Sequence, residues 1–334
     1  MRILVLIINR LLWFVPTVLG LAALTFLISH VIPADPVAYL AGENATAEQI
    51  AAIKQRFGLD QPVYVQFYRY LVSLVQGDMG VSLYTQRPIS EDLLTRLPAT
   101  LELTIVTVIV SAILGIPLGV ICAVHRNSWL DHVLRLFTVS GLAMASFWLA
   151  ILLQLMFAMR LGWTPLQGRI DGWGPDPVTG FFLVDSVIAG DWDRFSSAVA
   201  HMVLPVATLA FPAMATIVRF TRAGVLDAIN SNYVLYEQAI GLPRRVIIWK
   251  YVLRNALIGT VTQIGLIFGI LISGAVVVEA VFDWPGLGLY AVNSILQSDY
   301  NAIMGFTITA GIIFIIVNLL VDIVHGIIDP RSRA

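Results

Sequence analysis

The chain of 334 residues is 58% hydrophobic and only 12% charged, whereas a typical soluble domain carries about 25% charged residues. This composition and a mean hydropathy of +0.85 exclude an ordinary soluble domain and indicate an integral membrane protein. The net charge of −1 gives no sign of a nucleic-acid partner, and the single cysteine, Cys122, excludes an intrachain disulfide and a cysteine-based metal site.

Six stretches of 22 to 24 residues contain no Asp, Glu, Lys or Arg, and each is long enough to cross the hydrocarbon core as a helix. They cover 11–34, 103–124, 136–159, 195–218, 255–278 and 300–321. We therefore predict an all-α protein with six transmembrane helices. Arg2 and Arg10 flank the first stretch as in a signal peptide, but Trp13, Pro16 and the lack of a clear cleavage site favour a retained helix.

The segment between the first two spans predicts a small helical insertion outside the membrane, covering residues 35–98. A capping box at Thr46 and Gln49 predicts one helix over 46–58. A second helix is predicted over 60–77, and a third begins at Ser90 and leads to Pro98. The chain then divides into 1–34, the insertion at 35–98 and a core at 99–334.

Two further segments lie outside the spans on the same side as the insertion. Residues 160–194 are rich in Gly, Pro and Asp, which predicts a loop with little regular structure. Residues 279–288, "EAVFDWPGLG", contain Pro285, Gly286 and Gly288, which predict a turn. Trp284 in this turn is expected at the membrane interface, where aromatic side chains are favoured.

The distribution of basic residues predicts the topology. Twelve of the 20 Lys and Arg residues lie at the N-terminus, after the second span, at the C-terminus and, in the largest group of six, within 219–254. The positive-inside rule therefore predicts that both termini and the loop 219–254 are cytoplasmic.

Within this loop, the sequence predicts two short helices joined by a fixed bend. Ser231 caps a helix that runs to Ile240, Gly241 supplies a left-handed stop, and Pro243 fits the first turn of the next helix. In that helix an apolar face is predicted, formed by Val246, Trp249, Leu253 and Leu257. The residues alone leave two interpretations open: a helix pair resting on lipid, or a docking site for a cytoplasmic partner.

The stretch "YEQAIGLPRRVIIWKYVLRNAL" resembles the EAA loop of permease subunits in ATP-binding-cassette (ABC) importers, specifically the dipeptide, oligopeptide and nickel permease family. The resemblance runs along the whole chain, in the family's order, through "NRLLWFVPT", "IPADPV", "FGLDQPVYVQFYRYL", "GDMGVS", "LPATLELT", "GIPLGV", "WPGLG" and "DPRSR". It resembles in particular the first, B-type permease, which has a large periplasmic segment after its first transmembrane helix. The resemblance implies type I ABC importer permease architecture.

In that family the loop is a coupling helix that lies in a groove of a separate ATPase subunit. The positions that the resemblance assigns to this coupling role are Tyr236, Glu237, Ala239, Gly241, Arg244, Arg254 and Asn255. Glu237 and Ile240 stand where the family commonly has small or basic residues, and Gly259 replaces an expected proline. These departures leave open which ATPase docks and how tightly.

The resemblance also implies the partners: a second, homologous permease subunit, two ABC ATPases and a periplasmic solute-binding protein, all at the bacterial inner membrane. Peptide is the expected cargo, with nickel chelates or oligosaccharides as alternatives. No P-loop motif occurs in the sequence, so we expect ATP and Mg²⁺ on the ATPase and no catalysis, cofactor or metal in this chain.

Carboxylates beside the spans are candidate functional groups, because charges near hydrocarbon are costly. Glu102 and Glu279 stand at the outer ends of charge-free stretches. The residues alone are compatible with interfacial caps or salt bridges within the bundle. From the matching motifs we hypothesise a periplasmic gate formed by Glu102, Glu279, Trp284, Pro285, Gly286 and Gly288.

The main rival is a secondary transporter driven by protons or sodium. Such proteins show repeat symmetry and ionisable groups or broken helices near the midplane. This sequence shows no internal repeat and no charged residue at the centre of any of the six stretches. The sequence therefore favours an importer subunit.

Overall fold

The computed structural model describes residues 2–31, 46 and 61–328. Within these ranges the regular structure is helical, apart from one isolated bridge between Val81 and Pro88. The predicted all-α class is therefore confirmed. The helix predicted over 46–58 lies outside the described residues except for Thr46, and so does the end of the tail, 329–334.

Thirteen α-helices follow one another along the described parts of the chain. The first six are Arg2–Val31 (α1), Val63–Val75 (α2), Ile89–Val124 (α3), Trp129–Ala143 (α4), Ser146–Leu153 (α5) and Phe182–Ala189 (α6). The following ones are Trp192–Ile229 (α7), Asn232–Ala239 (α8), Arg244–Val246 (α9), Leu253–Gly274 (α10), Val276–Val281 (α11), Leu287–Leu296 (α12) and Tyr300–Ile328 (α13). Two π-helical segments continue them, Gln154–Arg160 after α5 and Ile247–Val252 between α9 and α10.

Helices occupy all six predicted spans wherever these are described. Four of them are long and apolar enough to cross a membrane: Ile89–Val124, Trp192–Ile229, Arg244–Ile272 and Tyr300–Val321. Helix α1 runs from Arg2 to Val31 and so covers the described part of the first predicted span. The predicted span 136–159 is not one straight helix, because α4 and the helix Ser146–Arg160 are bent by 105° at Met144 and Ala145, which have extended backbone.

Helix α3 differs from the prediction at its beginning. The short helix predicted from Ser90 to Pro98 is not separate, since α3 begins at Ile89 and continues through Pro98 to Val124. A proline within a helix removes one N–H donor, yet α3 runs on for another 26 residues.

The chain folds into two compact units. The larger comprises Met1–Ile7, Pro98–Leu289 and Ile313–Ala334, and the smaller comprises Ile8–Leu97 and Tyr290–Ile312. In the smaller unit, α2 confirms the helix predicted over 60–77; Pro62 precedes its first residue, and Gly77 follows it with φ +79°. Asp299 accepts hydrogen bonds there from the Ser82 hydroxyl (2.6 Å) and from the backbone N–H of Ala302 at the start of α13 (3.1 Å).

In the larger unit, α3 packs closely on α7 through two glycines. A Cβ at Gly115 would meet the side chain of Ile217, and one at Gly119 would meet Thr221. Such small residues allow helix backbones to approach in membranes. The two glycines of the motif "GIPLGV" therefore allow these helices to pack together.

Candidate functional site: a basic elbow and a polar turn cluster

The first candidate site is the elbow, which we define as residues 230–257. Helix α7 ends at Ile229, and Ser231 stands at the N-cap position of α8, but its hydroxyl donates to the carbonyl of Ala228 (2.5 Å) and does not cap α8 as predicted. Gly241 follows α8 with φ +82°, a left-handed conformation that glycine adopts without steric cost. Pro243 is the N-cap of α9 rather than a residue of its first turn. The predicted pair of short helices with a bend at Gly241 is confirmed.

The elbow is anchored by its apolar residues. One buried cluster joins the elbow to α3 and α7. The elbow contributes Val234, Ile247, Ile248, Val252 and Ala256, and the two long helices contribute Val120, Ala123 and Val225. The predicted apolar face is wrong, since Trp249 is 48% exposed while Ile247 and Ile248 are buried. The reason is the π-helical backbone of Ile247–Val252, whose wider turns shift the buried side chains away from the 3.6-residue period used for the prediction.

The opposite surface of the elbow combines exposed apolar and basic side chains. Leu235, Tyr236 and Ile240 are 62%, 66% and 55% exposed. Exposure of such large apolar side chains to water is unfavourable. Of the predicted coupling residues, Glu237 is half-buried, and the others are exposed, namely Tyr236, Ala239, Gly241, Arg244, Arg254 and Asn255. Arg245 and Lys250 are exposed as well. The elbow thus presents an apolar and cationic surface on a buried anchor.

The second candidate site, the turn cluster, surrounds the turn after α11. It comprises Ala99, Thr100, Glu102, Arg169, Glu279, Trp284, Gly286 and Gly288. The fully buried carboxylate of Glu279 accepts hydrogen bonds from the Thr100 hydroxyl (2.7 Å) and from the backbone N–H groups of Gly288 (2.7 Å) and Leu289 (3.2 Å). Thr100 in turn accepts a bond from the N–H of Leu287 (2.8 Å). These bonds fasten the turn to α3.

The side chain of Trp284 does not make the lipid-facing contact expected of an interfacial tryptophan. Its side chain is fully buried, and its indole N–H donates to the backbone carbonyl of Ala99 at 3.0 Å. A buried tryptophan usually has such a partner. Pro285, by contrast, is exposed.

Gly286 and Gly288 are contact positions as well as turn formers. A Cβ at Gly286 would overlap the Glu279 carboxylate and the Thr100 hydroxyl, and one at Gly288 would overlap the backbone of Val276. Only glycine fits at these two positions without displacing its neighbours.

Glu102 forms a buried ion pair with Arg169, a residue that the sequence did not single out. The guanidinium donates to Glu102 and to the carbonyl of Gly180 (2.7 Å), and it lies over the rings of Phe182 (3.7 Å) and Trp284 (5.8 Å). Glu102 also accepts a bond from the N–H of Leu183 at 2.8 Å. The two predicted carboxylates thus join one cluster through α3 and Arg169, without touching each other directly.

The loop 160–194 is more ordered than its composition predicted. It contains α6, and the buried carboxylate of Asp185 on that helix accepts bonds from the backbone N–H groups of Val178, Thr179 and Gly180. Burial by itself raises the pKa of Asp185, but these bonds and one from the Thr179 hydroxyl outweigh it and lower that pKa below its ordinary value. The loop therefore holds Arg169 in a fixed position.

Glu279 predicts a pH dependence of stability. Burial raises its pKa from 4.5 to about 7, in spite of the bonds from Thr100, Gly288 and Leu289. Between these two pH values the folded state binds more protons than the unfolded state, so the free energy of unfolding falls as the pH rises. The fall from this group amounts to about 3 kcal/mol at most. The Glu279→Gln side chain stays neutral at every pH and keeps one acceptor oxygen. We therefore expect this variant to lack the fall in the free energy of unfolding with rising pH.

The measurement is the apparent unfolding temperature in mild detergent between pH 5 and pH 8. The wild type is expected to lose stability over this range relative to Glu279→Gln. The matched control is Glu91→Gln, which removes an exposed carboxylate and should follow the wild type. Parallel curves for the wild type and Glu279→Gln would contradict the prediction.

Within the described part of the chain, no group of three His, Cys, Asp or Glu side chains has an arrangement that could hold a metal ion. The fold and the two sites together define a polytopic α-helical membrane protein with a basic elbow between two of its spans.

Comparisons with known proteins show to which family of membrane proteins the chain belongs. Residues 115–334 match the family described as binding-protein-dependent transport system inner membrane component, and residues 3–104 match the N-terminal part of such membrane components. The chain belongs to this family, and it is a multi-pass protein of the inner membrane.

Three relatives show how far the similarity extends. The chain is 42% identical over 316 residues to the probable D,D-dipeptide transport system permease protein DdpB of Escherichia coli (strain K12), covering 94% of this chain and 93% of the relative. It is 37% identical over 332 residues to the dipeptide transport system permease protein DppB of the same organism, covering 98% of both. It is also 37% identical over 327 residues to the glutathione transport system permease protein GsiC of Salmonella paratyphi A (strain ATCC 9150 / SARB42), again covering 98% of both.

Proposed function

We propose that this chain is the membrane-spanning permease subunit of an ATP-driven importer that carries small peptides. The observation that carries the proposal is the elbow, which is anchored by a buried apolar cluster and exposes Leu235, Tyr236 and Ile240 beside basic side chains. A surface that merely satisfied the positive-inside rule would need the basic residues but not the exposed apolar ones. Exposed apolar groups of this kind mark an interaction site.

The partner proposed for the elbow is an ABC ATPase. The apolar side chains of α8 would enter a groove of the ATPase, as in helix-in-groove recognition, and Arg244 and Arg254 would add charge complementarity. Since α8 follows α7 after two residues and is linked to α10 through α9 and the π-helical segment, a movement of the ATPase would be passed to two long helices.

The proposal includes the rest of the assembly and its orientation. A second permease subunit completes the pore, two ATPases bind and hydrolyse ATP with Mg²⁺, and a periplasmic solute-binding protein delivers the cargo. Both termini and the elbow face the cytoplasm, as the distribution of basic residues predicts. The segment 35–98 and the turn cluster then face the periplasm.

Peptide cargo is supported by the three relatives named above, whose names describe dipeptide and glutathione transport. The turn cluster would close the periplasmic end of the pathway. Its buried ion pair and the hydrogen bonds of Glu279 make it a well-defined closed arrangement, as a gate with two discrete states requires.

Tyr236→Glu tests the elbow. The substitution places a carboxylate in the apolar part of the proposed contact, where an unpaired buried charge costs several kcal/mol. We expect co-purification of the ATPase with this chain to fall at least tenfold, together with ATP-dependent peptide uptake into vesicles, while the apparent unfolding temperature of the chain stays unchanged because Tyr236 is exposed.

Tyr64→Glu is the matched control, since Tyr64 is 74% exposed on α2. It should leave the ATPase bound. If Tyr236→Glu kept the ATPase as well as Tyr64→Glu did, the elbow would not be the docking surface. Uptake without ATP or ATPase would instead support an ion-driven transporter.

A further inference from the structure

A pocket of about 550 Å³ lies between α4 and α7, next to the end of α3. Its volume is within the range of about 300–1,000 Å³ typical of small-molecule sites. Four arginines line it, namely Arg126, Arg135, Arg219 and Arg222. No acidic side chain is among its lining residues in the part of the chain that the structure describes.

One buried carboxylate behind the pocket neutralises part of this charge. Asp131 accepts two bonds from Arg222 (2.9 and 3.0 Å) and one from Arg135 (2.9 Å). Arg126 and Arg219 make no side-chain hydrogen bond or ion pair within the described ranges, although the guanidinium of Arg219 lies 5.3 Å from the ring centre of Phe220. Four positive charges and one negative charge leave a net charge of +3 around the pocket.

The surroundings of the pocket are apolar. Its wall includes Leu134, Val139, Leu142, Val218 and Leu226. On the outer surface of α4, Val133, Leu136 and Val139 are 52%, 70% and 60% exposed, and Trp129 at the beginning of the helix is 75% exposed. A tryptophan at the end of an apolar helix is typical of a membrane interface. A soluble anion would need the arginines but would gain nothing from this apolar surface.

We propose that this arginine pocket binds the headgroup of an anionic phospholipid. The phosphate lies between Arg126 and Arg219, whose guanidinium groups are not paired with a carboxylate in the described part of the chain. Arginine is well suited to phosphate recognition. The acyl chains lie along the exposed apolar side chains of α4. Basic pockets between transmembrane helices bind anionic headgroups in this way. Arg219 and Arg222 belong to α7, so the lipid would bind to the helix that leads into the elbow.

The test is native mass spectrometry of the full chain, purified with the subunits that accompany it in a neutral detergent. Phosphatidylglycerol is added, and phosphatidylcholine with the same acyl chains serves as the neutral comparison. The variant Arg126→Gln with Arg219→Gln is expected to reduce the affinity for phosphatidylglycerol by about fivefold for each charge removed, and to leave phosphatidylcholine binding unchanged. Among the residues that the structure describes, neither side chain has a polar partner, so the variant should fold.

The matched control is Arg245→Gln with Lys250→Gln, which removes the same charge from exposed positions on the elbow. It should retain phosphatidylglycerol like the wild type. Equal affinity in the wild type and the pocket variant, or an equal loss in the pocket variant and the control, would overturn the proposal. Displacement of phosphatidylglycerol by an equal concentration of glycerol phosphate would overturn it too, because the site would then recognise a soluble anion.

Discussion

Arg169→Met is expected to lower the free energy of unfolding of the chain by about 3–5 kcal/mol, the cost of leaving one member of a buried ion pair without its partner. The side chains of Arg169 and Glu102 are only 7% and 3% exposed. Without the guanidinium, Glu102 keeps the N–H of Leu183 but has no opposite charge, and the carbonyl of Gly180 loses a donor. We also expect peptide uptake to be lost, since the loop 160–194 would lose its ion pair with α3.

Two further variants separate this effect from a general loss of charge. Adding Glu102→Gln to Arg169→Met should restore more than half of the lost stability, because the neutral amide can still accept from Leu183. Arg194→Met is the surface control: Arg194 and Asp191 form an ion pair at 3.3 Å with side chains 40% and 34% exposed. Exposed pairs contribute about 0–1 kcal/mol.

Unfolding by denaturant in mild detergent measures all three variants. If Arg169→Met and Arg194→Met reduced stability equally, the prediction would be wrong. The ion pair of Arg169 with Glu102 would then be as well solvated as a surface pair. If the double variant were no more stable than Arg169→Met, the loss would come from packing against Phe182 and not from an unpaired carboxylate.

Gly286→Ala is expected to destabilise the turn cluster by about 3 kcal/mol, the upper part of the range for inserting a methyl group into a packed site. The added Cβ would overlap the Glu279 carboxylate and the Thr100 hydroxyl. Glu279 would then have to move away from Thr100 and Gly288, and each buried polar group that loses its partner adds to the cost. Uptake should fall strongly, while the ATPase should remain bound, because the elbow is unchanged.

Gly259→Ala is the matched control within α10. Apart from the backbone of its own helix, no atom of the described residues lies within 4 Å of a Cβ at this position, and replacing glycine by alanine in a helix stabilises by about 0.5–1 kcal/mol. The two variants therefore have opposite expected signs in an unfolding measurement. Equal effects of Gly286→Ala and Gly259→Ala would show that the turn tolerates a side chain and would remove the steric basis of the cluster.

The elbow illustrates how much of a site local sequence rules can predict. Gly241 and Pro243 have conformational preferences that hold in almost any context, so the bend was predictable from them. The buried face was not, because six residues from Ile247 adopt a π-helix. A prediction based on the 3.6-residue period therefore fails there: Ile247 and Ile248 are buried, and Trp249, which was assigned to the apolar face, is exposed.

The turn cluster shows what depends on distant parts of the chain. Gly286 and Gly288 were recognisable as turn residues, but the Thr100 hydroxyl beside them is 179 residues away from its partner Glu279. Arg169 lies 67 residues from Glu102 in a loop rich in Gly and Pro, with no periodicity to indicate a partner. Its pairing follows from tertiary packing, which one sequence does not encode in a readable pattern.

The bend between α4 and α5 was invisible for another reason. The charge-free length of 136–159 is correct for one span, and neither residue at the break, Met144 or Ala145, is a proline or glycine. Counting apolar residues measures length but not direction. By contrast, the positions of the other long helices followed from their length alone.

The elbow and the turn cluster occupy opposite ends of one nearly continuous rod. Helices α10 and α11 follow each other with only Ala275 between them, and Ala275 itself has right-handed helical backbone. Near its middle the rod crosses α13, where a Cβ at Gly265 would meet Val321 and one at Gly269 would meet Phe314. If the rod tilted as a rigid body, this crossing would be its fulcrum; the midpoint between Gly265 and Gly269 lies about 21 Å from Leu253 and about 18 Å from Glu279 at a rise of about 1.5 Å per residue.

A tilt of the rod at this fulcrum moves its two ends in opposite directions by nearly equal distances. Drawing Leu253 towards one side of the membrane protein therefore displaces Glu279 towards the other, and the contact of Gly265 and Gly269 with α13 is the part that moves least. Under such a tilt the helix would act as a lever with nearly equal arms, its inward movement at one end matched by an outward movement at the other.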